Sequence, residues 1–322
     1  MQKPNIVLLA PGQGAQAIGM GKAWLEAHPS AAQTFAAADE VVSLEGLGSL
    51  SQICFDGPSE TLNRTDVSQP ALFTAGVASY QGLLDRWGGV DLHAALGLSL
   101  GEYTAIHLAG GFGFRDGLRL VATRGRLMQE AAEASDGGMV ALIGADEAQA
   151  TTLCDEARGS DVLVPANFNA PGQIVVSGSS SACDRAVEVA GNMGLRASRL
   201  AVAGAFHSPL MEPAAAGMRK ALSEIDLEPL TTDVYSNVTG HVHPADDPQL
   251  LKERLIEQLT SPVRWSENCA RLAESIKTIT VEDERPAVHE LAPGKVLKGL
   301  FRRIDKSVEV TSHDVPDTSE VV

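Results

Sequence analysis

The sequence has few cysteines, few cations and no long apolar run, and each shortage excludes a class of protein. Four cysteines occur among 322 residues, widely separated and without a Cys-x-x-Cys pair. This spacing does not suit a zinc site and predicts reduced thiols in a cytoplasmic protein. The 25 lysines and arginines are outnumbered by 41 aspartates and glutamates, which gives a formal net charge of −16. General binding to nucleic acid needs clustered cations and is therefore excluded.

The apolar segments are too short to enter a membrane. Residues 6–10 form an apolar run, but Pro11 and Gly12 break it at once, so it fits neither a signal peptide nor a membrane span. No other segment is a candidate, and we expect no membrane contact. The chain exceeds the length at which one core stops growing, which favours one large domain with an insertion, or two domains. Its 44% hydrophobic content is typical of a globular α/β protein.

The most informative segment is residues 94–103, where a short apolar run enters a Gly-x-Ser-x-Gly pentad and continues into a helix-like stretch. This context predicts that Ser99 lies on a sharp strand-to-helix turn, the nucleophile elbow. Such a tight turn needs a glycine on each side of the serine, and Gly97 and Gly101 supply them. The following helix directs its unpaired N–H groups, with that of Leu100 the nearest, at the place where an acyl oxyanion would form.

The first strand and its loop also point to a ligand site. Residues 6–10 fit a buried parallel strand. The following Gly12-x-Gly14-x-x-Ala17 matches a relaxed dinucleotide fingerprint, but no second strand ending in a ribose-binding acid follows it. A Rossmann cofactor site is therefore disfavoured. We interpret the segment as a close-approach loop at the carboxyl end of a strand, where open α/β sheets bind their ligands.

The pattern changes after residue 137 to a unit of short strands and helices in the order β-α-β-β-α-β, which is the ferredoxin-like arrangement. Its predicted strands are residues 139–143, 162–168, 173–177 and 197–202, and its predicted helices are residues 147–158 and 180–193. We predict an α/β fold with an α/β-hydrolase-like large domain, built on a parallel sheet, from residues 1–136 and 204–306. Residues 137–203 would form the inserted ferredoxin-like subdomain. Residues 307–322 would form a C-terminal tail, which we expect to fray from Asp314 onward.

A serine nucleophile needs a base, and the chain offers eight histidines. His207 has the most suitable context, because it follows a predicted strand and the segment 204–206 and precedes Pro209. This setting would fix its ring on a loop at the edge of the sheet that binds ligands. We therefore predict that His207 is the base for Ser99.

One other histidine cluster has the composition of a metal site. His241 and His243 lie one residue apart, with Asp246 and Asp247 nearby. On a turn that contains a proline, these residues are more typical of a solvated loop than of a metal centre. We predict no metal site.

Six segments, in this order, resemble the motifs of malonyl-CoA:acyl carrier protein transacylases. They are GQGAQ at 12–16, GLSLGEY at 97–103, RGRLMQ at 124–129, NFNAPGQ at 167–173, GAFHSPLM at 204–211 and APGKVL at 292–297. Together they span nearly the whole chain, and such an ordered series is far more specific than the pentad alone. The resemblance implies transfer of malonyl from malonyl-CoA to the phosphopantetheine thiol of acyl carrier protein, by a ping-pong mechanism through a malonyl-serine ester. It implies no metal or redox cofactor.

The same resemblance implies roles for individual residues. Ser99 would be the nucleophile, and His207 the base that first activates it and later deprotonates the pantetheine thiol. Gln258 matches the position that orients the histidine. The oxyanion would lie between the backbone N–H groups of Gln13 and Leu100.

Three further positions concern the acyl group. Arg124 would pair with the free carboxylate of malonate, and a planar two-donor fork suits a carboxylate better than lysine does. Phe206 resembles the malonyl-selective form of its loop, where bulk disfavours an α-methyl branch by about 1–3 kcal/mol. Leu98 is a departure, since relatives most often have histidine there, and the lost polar contact bears on rate and acyl selectivity.

Two other functions stay open at this point. An acyl hydrolase or esterase would use the same elbow with water in place of the thiol, but Arg124 would then have no carboxylate to bind. A non-catalytic, carrier-protein-binding member of a polyketide or lipid-synthesis assembly is disfavoured by the presence of Ser99 and His207. Leu98 keeps this second alternative open.

The carrier protein also needs a docking site. Carrier proteins are generally acidic, so a chain of net charge −16 would have to offer a local basic patch. We name the densest run of cations the C-terminal basic patch; it comprises Lys295, Lys298, Arg302, Arg303 and Lys306. We predict that the carrier protein or the CoA phosphate binds near it, the alternative being ordinary charge on a solvated helix end. The resemblance implies a monomer.

Overall fold

The computed structural model describes residues 3–279 and 285–317. Its helices are α1 Lys22–Ala27, α2 Pro29–Val41, α3 Leu50–Asp56, α4 Ser59–Leu62, α5 Thr65–Trp87, α6 Leu100–Leu108, α7 Phe114–Glu133, α8 Glu147–Arg158, α9 Ser180–Asn192, α10 Glu212–Ser223, α11 Pro248–Glu257, α12 Trp265–Thr278 and α13 Val296–Ile304, with a 3-10 helix at Pro209–Met211. Its strands are β1 Asn5–Ala10, β2 Asp91–Gly97, β3 Gly137–Ile143, β4 Leu163–Ala170, β5 Gln173–Ser179, β6 Arg196–Arg199, β7 Asp233–Val234, β8 Ala287–Glu290 and β9 Val310–Ser312. Across the described ranges, no helix is both long and apolar enough to cross a membrane.

The larger sheet is parallel throughout, with the strand order β7-β2-β1-β8-β9. Its central strand β1 is buried on both faces. Ile6 and Leu8 belong to one hydrophobic core, whereas Val7 and Leu9 belong to a second core on the other side. A continuous apolar run is what a strand covered on both faces requires, so the predicted buried parallel strand is confirmed.

The carboxyl ends of β1 and β2 lie side by side. Ala10 is aligned with Gly97 across the two strands, and Leu98 N–H donates to Ala10 O at 3.1 Å. The loop after β1 and the turn after β2 therefore meet at one edge of the sheet. This is the edge where parallel α/β sheets bind ligands.

The smaller sheet is antiparallel, with the order β4-β5-β3-β6. Helices α8 and α9 cover one of its faces, and their alanines, leucines and cysteines form a separate core with the strands. This is the βαββαβ ferredoxin-like arrangement predicted from the sequence. The unit runs from Gly137 to Arg199, and the division of the chain at residues 137 and 203 stays a prediction.

A backbone bridge joins the smaller sheet to the larger unit. Phe168 N–H donates to Val263 O at 2.9 Å, and Val263 N–H donates to Ala166 O at 2.8 Å. Val263 lies two residues before the start of α12 and belongs to the core that packs against β1 and β2. The two sheets are thus held together beside the carboxyl ends of the parallel strands.

The first part of the predicted C-terminal tail contains a strand. Residues 310–312 form β9, which extends the parallel sheet beside β8. Two contacts hold the chain just beyond it: Trp24 Nε1 donates to His313 O at 3.0 Å, and Gly294 N–H donates to Asp314 Oδ1 at 2.6 Å. The ladder with β8 outweighs the polar composition of this segment. Residues 318–322 of the predicted tail lie outside the described residues.

Candidate active site

Ser99 lies at the junction of β2 and α6 with a backbone conformation that is rare for serine, φ 52° and ψ −102°. The crossing of strand and helix is very close. A Cβ atom on Gly97 would lie 1.8 Å from the carbonyl carbon of Gly101, and one on Gly101 would lie 2.1 Å from Ala10 O. Only hydrogen fits at either position, as the sequence predicted for a nucleophile elbow. The strained turn exposes the serine hydroxyl at the edge of the sheet.

The serine hydroxyl contacts the predicted base. Ser99 Oγ lies 2.8 Å from His207 Nε2, and His207 Nδ1 lies 2.8 Å from the backbone oxygen of Gln258. Because a carbonyl oxygen can only accept, Nδ1 carries the ring proton and Nε2 is free to accept from the serine. Burial, with a smaller contribution from the positive charge of Arg124, lowers the pKa of His207 from 6.5 to about 4. The imidazole is therefore neutral at pH 7, as a base must be.

Arg124 is a buried cation beside the same hydroxyl. Its side chain is on α7 and is 1% exposed. Nη2 donates to Ser99 Oγ at 3.1 Å and to Gln258 Oε1 at 2.9 Å, and Nη1 donates to Gln69 Oε1 at 2.7 Å. The guanidinium also lies over the Tyr103 ring, 5.2 Å from its centroid. These acceptors are all neutral, so the charge is available to an anionic ligand that enters the site.

A cavity of about 410 Å³ opens onto the serine and the histidine between the two sheets. Its lining includes apolar side chains on both sides, namely Leu98, Met128, Met139, Val175, Leu200, Val202 and Phe206. Polar groups are contributed by Gln13, Gln16, Asn63, Asn167 and Asn169. This volume and this mixture of walls are typical of a site for a small organic ligand.

The two predicted oxyanion donors, Gln13 and Leu100, lie in the loop after β1 and at the start of α6. Gln13 lines the cavity in the loop after β1, and its Nε2 donates to Thr65 Oγ1 at 3.3 Å. Leu100 is the first residue of α6, so its N–H has no acceptor within the helix. Both N–H groups belong to the edge where β1 and β2 end.

The two acyl-selectivity candidates are placed differently. Phe206 is 5% exposed and forms part of the cavity wall directly before the histidine. Leu98 is half-buried, lines the same cavity and also packs against the core beneath β2. The C-terminal basic patch lies elsewhere: its side chains are exposed on and around α13, and the described residues of the cavity wall include none of them.

Asn237 is a site residue that the sequence did not reveal. Its Oδ1 accepts from Ser99 N–H at 2.6 Å, and its Nδ2 donates to Gly97 O at 2.8 Å, so one buried amide holds both sides of the elbow. The available signal is its position shortly after β7, at the carboxyl end of a strand next to β2. Such positions are where parallel sheets place ligand-binding side chains.

The predicted solvated loop around His241 and His243 is only half right. His241 is exposed, but His243 is 3% exposed and its Nε2 lies 2.7 Å from Glu102 Oε1. The loop turns inward because His243 N–H donates to Val234 O at 2.8 Å, which continues the pairing at the end of β7. Among the described residues, no group of three or more His, Cys, Asp or Glu side chains is placed to hold a metal ion.

Comparison with known proteins identifies the family. Residues 7–291 match the acyl transferase domain family. The chain is 38% identical to the malonyl CoA-acyl carrier protein transacylase of Bacillus subtilis (strain 168), over 98% of this chain and 96% of that protein.

Solved structures agree with this match. That of malonyl-CoA:acyl carrier protein transacylase from Xanthomonas oryzae pv. oryzae has a TM-score of 0.88 and 40% identity, covering 98% of this chain and 96% of that one. A malonyl-transacylase in complex with a type II PKS acyl-carrier protein has a TM-score of 0.88 and 34% identity, covering 97% of this chain and 96% of that one. The chain belongs to the malonyl-CoA:acyl carrier protein transacylases of the acyl transferase domain family.

Proposed function

We propose that this chain transfers the malonyl group from malonyl-CoA to the phosphopantetheine thiol of acyl carrier protein, through a malonyl ester on Ser99. One observation carries the proposal: Ser99 Oγ lies 2.8 Å from His207 Nε2 and 3.1 Å from Arg124 Nη2. The nucleophilic oxygen thus contacts both a neutral base and a buried cation that can bind a carboxylate. The names of the relatives support the same substrates.

The first half-reaction loads the serine. Ser99 Oγ attacks the thioester carbonyl while His207 Nε2 takes its proton, and the backbone N–H groups of Gln13 and Leu100 donate to the oxyanion. The C–S bond then breaks, and the imidazolium returns the proton to the CoA sulfur, which leaves as the thiol. The Gln258 carbonyl holds Nδ1–H throughout, which keeps the ring in the productive tautomer and stabilises its charged form.

The second half-reaction reverses these roles. The pantetheine thiol loses its proton to His207 and attacks the malonyl ester. Collapse of the tetrahedral intermediate breaks the bond to Ser99 Oγ, which takes the proton back. Because acyl groups and protons are exchanged and nothing is oxidised or reduced, this chemistry calls for no metal or redox cofactor.

Arg124 gives the site its preference for malonyl. The buried guanidinium has neutral partners in the free protein, so a malonyl carboxylate would gain a charge-assisted, bidentate contact there. An acyl group without a carboxylate would leave this cation unpaired. The same residue argues against a general esterase, which has no use for a buried carboxylate site.

The intact mass of the protein after brief incubation with malonyl-CoA tests the proposal. We expect one malonyl adduct that is absent in Ser99→Ala, present in the control Ser223→Ala on the exposed end of α10, and discharged by pantetheinylated carrier protein. Acetyl-CoA and methylmalonyl-CoA should give less adduct. An unreacted protein would indicate the non-catalytic alternative, and steady release of malonate without carrier protein would indicate the hydrolase.

The carrier protein is proposed to dock at the C-terminal basic patch. Its five cations are exposed, which suits an acidic partner. Reversing charge at Arg302 and Arg303 should slow discharge to the carrier and leave loading from malonyl-CoA unchanged, with Lys220→Glu on α10 as the control. Slower loading would instead indicate that the CoA phosphate binds there. If loading and discharge are both unchanged, the patch binds neither the carrier protein nor the CoA phosphate.

We also propose that the protein is monomeric and cytoplasmic. The four cysteines are buried free thiols, which suits a reducing compartment. Ser99 Oγ lies within hydrogen-bond distance of both His207 and Arg124 of the same chain, which supports a monomeric active form. Sedimentation at micromolar concentration would test the monomer.

A further inference from the structure

A buried carboxylate lies behind the reacting atoms. Glu102 is on α6, three residues after the nucleophile, and is 1% exposed. Its Oε1 accepts from His243 Nε2 at 2.7 Å, and its Oε2 accepts from Asn237 N–H at 3.2 Å and from Gln258 Nε2. The carboxylate is absent from the described lining of the cavity, so it acts on other protein groups rather than on substrate.

The contact with Gln258 fixes the direction of an amide. Gln258 Nε2 donates to Glu102 and to Ser99 O at 3.0 Å, while its Oε1 accepts from Arg124 Nη2 at 2.9 Å. A carboxylate and a carbonyl can only accept, so they require the NH₂ group on their side. The amide oxygen must therefore face the guanidinium. The reversed amide would set two donors against each other at Arg124 and two acceptors against each other at Glu102.

The same glutamine reaches the base through its backbone. Gln258 O holds His207 Nδ1 at 2.8 Å, while its side chain holds the carboxylate-binding cation. One residue thus connects the two groups that flank the nucleophile. Its side-chain orientation depends on Glu102, and the orientation of Glu102 depends on the ring of His243.

We propose that Glu102, held by His243, is a positioning residue that orients the Gln258 amide and thereby holds Arg124 ready for a substrate carboxylate. The inference rests on the proposed function, because it concerns the site for the malonyl carboxylate. Its consequence is selective. Loss of the Glu102 carboxylate should lower the rate of Ser99 acylation more for donors whose acyl group carries a carboxylate than for donors whose acyl group does not.

The test compares two donors on the full-length protein. Ser99 acylation is measured with malonyl-CoA and with p-nitrophenyl acetate, an activated ester that has no carboxylate. The informative quantity is the ratio of the two second-order rate constants, because a loss of folded protein lowers both equally. Circular dichroism and the thermal midpoint are recorded for every variant.

Four variants complete the design. Glu102→Met removes the acceptor at similar volume, and the ratio should fall about tenfold, as expected for one buried hydrogen bond to a charged group. Glu102→Gln should restore most of the ratio, because its amide oxygen can still accept from Gln258 Nε2. His243→Phe leaves the carboxylate but removes its donor, and the ratio should fall severalfold. His241→Phe, on the exposed part of the same loop, should leave the ratio unchanged.

The outcomes separate the inference from the function it rests on. If the wild-type protein forms no malonyl adduct, the proposed function fails. If the wild type is loaded but Glu102→Met and His243→Phe keep its ratio within about twofold, the positioning role is overturned. An equal loss with both donors also overturns it, since that marks a purely structural role. Should Glu102→Met fail to fold, His243→Phe decides the question alone.

Discussion

Gly97 and Gly101 are in direct backbone contact, since a Cβ atom on the first would lie 1.8 Å from the carbonyl carbon of the second. Gly101 is equally confined, because its own Cβ would lie 2.1 Å from Ala10 O. The ends of β1 and β2 and the start of α6 therefore share a space that admits hydrogen alone. This contact fixes the position of Ser99 relative to the edge of the sheet.

Gly101→Ala should abolish loading of Ser99. The added methyl group meets backbone, which cannot move aside as a flexible side chain could, so the elbow must shift or the protein must lose stability by about 1–3 kcal/mol or more. Malonyl adduct formation and the urea midpoint measure the two effects. Gly191→Ala is the matched control: its Cβ meets nothing within 4 Å near the end of α9, and stability should rise by about 0.5–1 kcal/mol. Normal loading in Gly101→Ala would contradict this account of the elbow.

The elbow could be predicted from the sequence because its determinants are local. A glycine on each side of a serine, a strand before and a helix after all lie within ten residues. Asn237 could not be predicted in this way, because its contact with Ser99 joins residues 138 apart in the chain. The pairing of His243 with Glu102 spans 141 residues, and composition alone suggested a solvated loop.

The fold shows the same division between local and distant determinants. The ferredoxin-like unit was predictable because its strands and helices alternate within a short segment, and α8 was predicted with its observed bounds. β9 has only three residues, lies among polar neighbours and shows no alternation of apolar and polar residues that would predict a strand. It forms a strand because it pairs with β8 through backbone hydrogen bonds, and this pairing exists only in the folded sheet.

The pH dependence of loading should reflect the low pKa of His207. Burial lowers that pKa from 6.5 to about 4, so the base is neutral above pH 4 and is lost by protonation below it. The rate of malonyl loading should rise through about pH 4 and become level well below pH 6.5. Protonation also opposes folding, so stability falls as the pH drops from 6.5 through about 4. Rapid-quench measurements give the loading rate at each pH, and the unfolding midpoint is measured alongside. A loading rate that rises with an apparent pKa near 6.5 would contradict this prediction.

Removal of the Phe206 ring should relax discrimination against a branched acyl group. Phe206→Ala enlarges the cavity wall beside His207, and the ratio of methylmalonyl to malonyl loading should rise about tenfold, within the 1–3 kcal/mol that one methyl group contributes. Competition between the two CoA esters, read by intact mass, measures the ratio. Phe55→Ala removes a half-buried ring that does not line the cavity, and it should leave the ratio unchanged. The same ratio in both variants would show that Phe206 does not set selectivity.

Arg124→Lys keeps the positive charge but should still lower malonyl loading strongly. The guanidinium makes three hydrogen bonds in a fixed plane, to Ser99, Gln258 and Gln69, and a single ammonium cannot reproduce that fork while also binding a carboxylate. Loss of charged hydrogen bonds worth about 1.5–3 kcal/mol predicts a fall in kcat/KM of about 10- to 100-fold.

The control for this change is Arg126→Lys, two residues along α7, where the side chain is exposed and pairs with Glu130. Such a surface pair contributes little, and its kcat/KM should match that of the wild type. The loss in Arg124→Lys should also be smaller for p-nitrophenyl acetate than for malonyl-CoA, because only the latter carries a carboxylate. An equal loss with both donors would mean that Arg124 supports the serine and the fold rather than the substrate carboxylate.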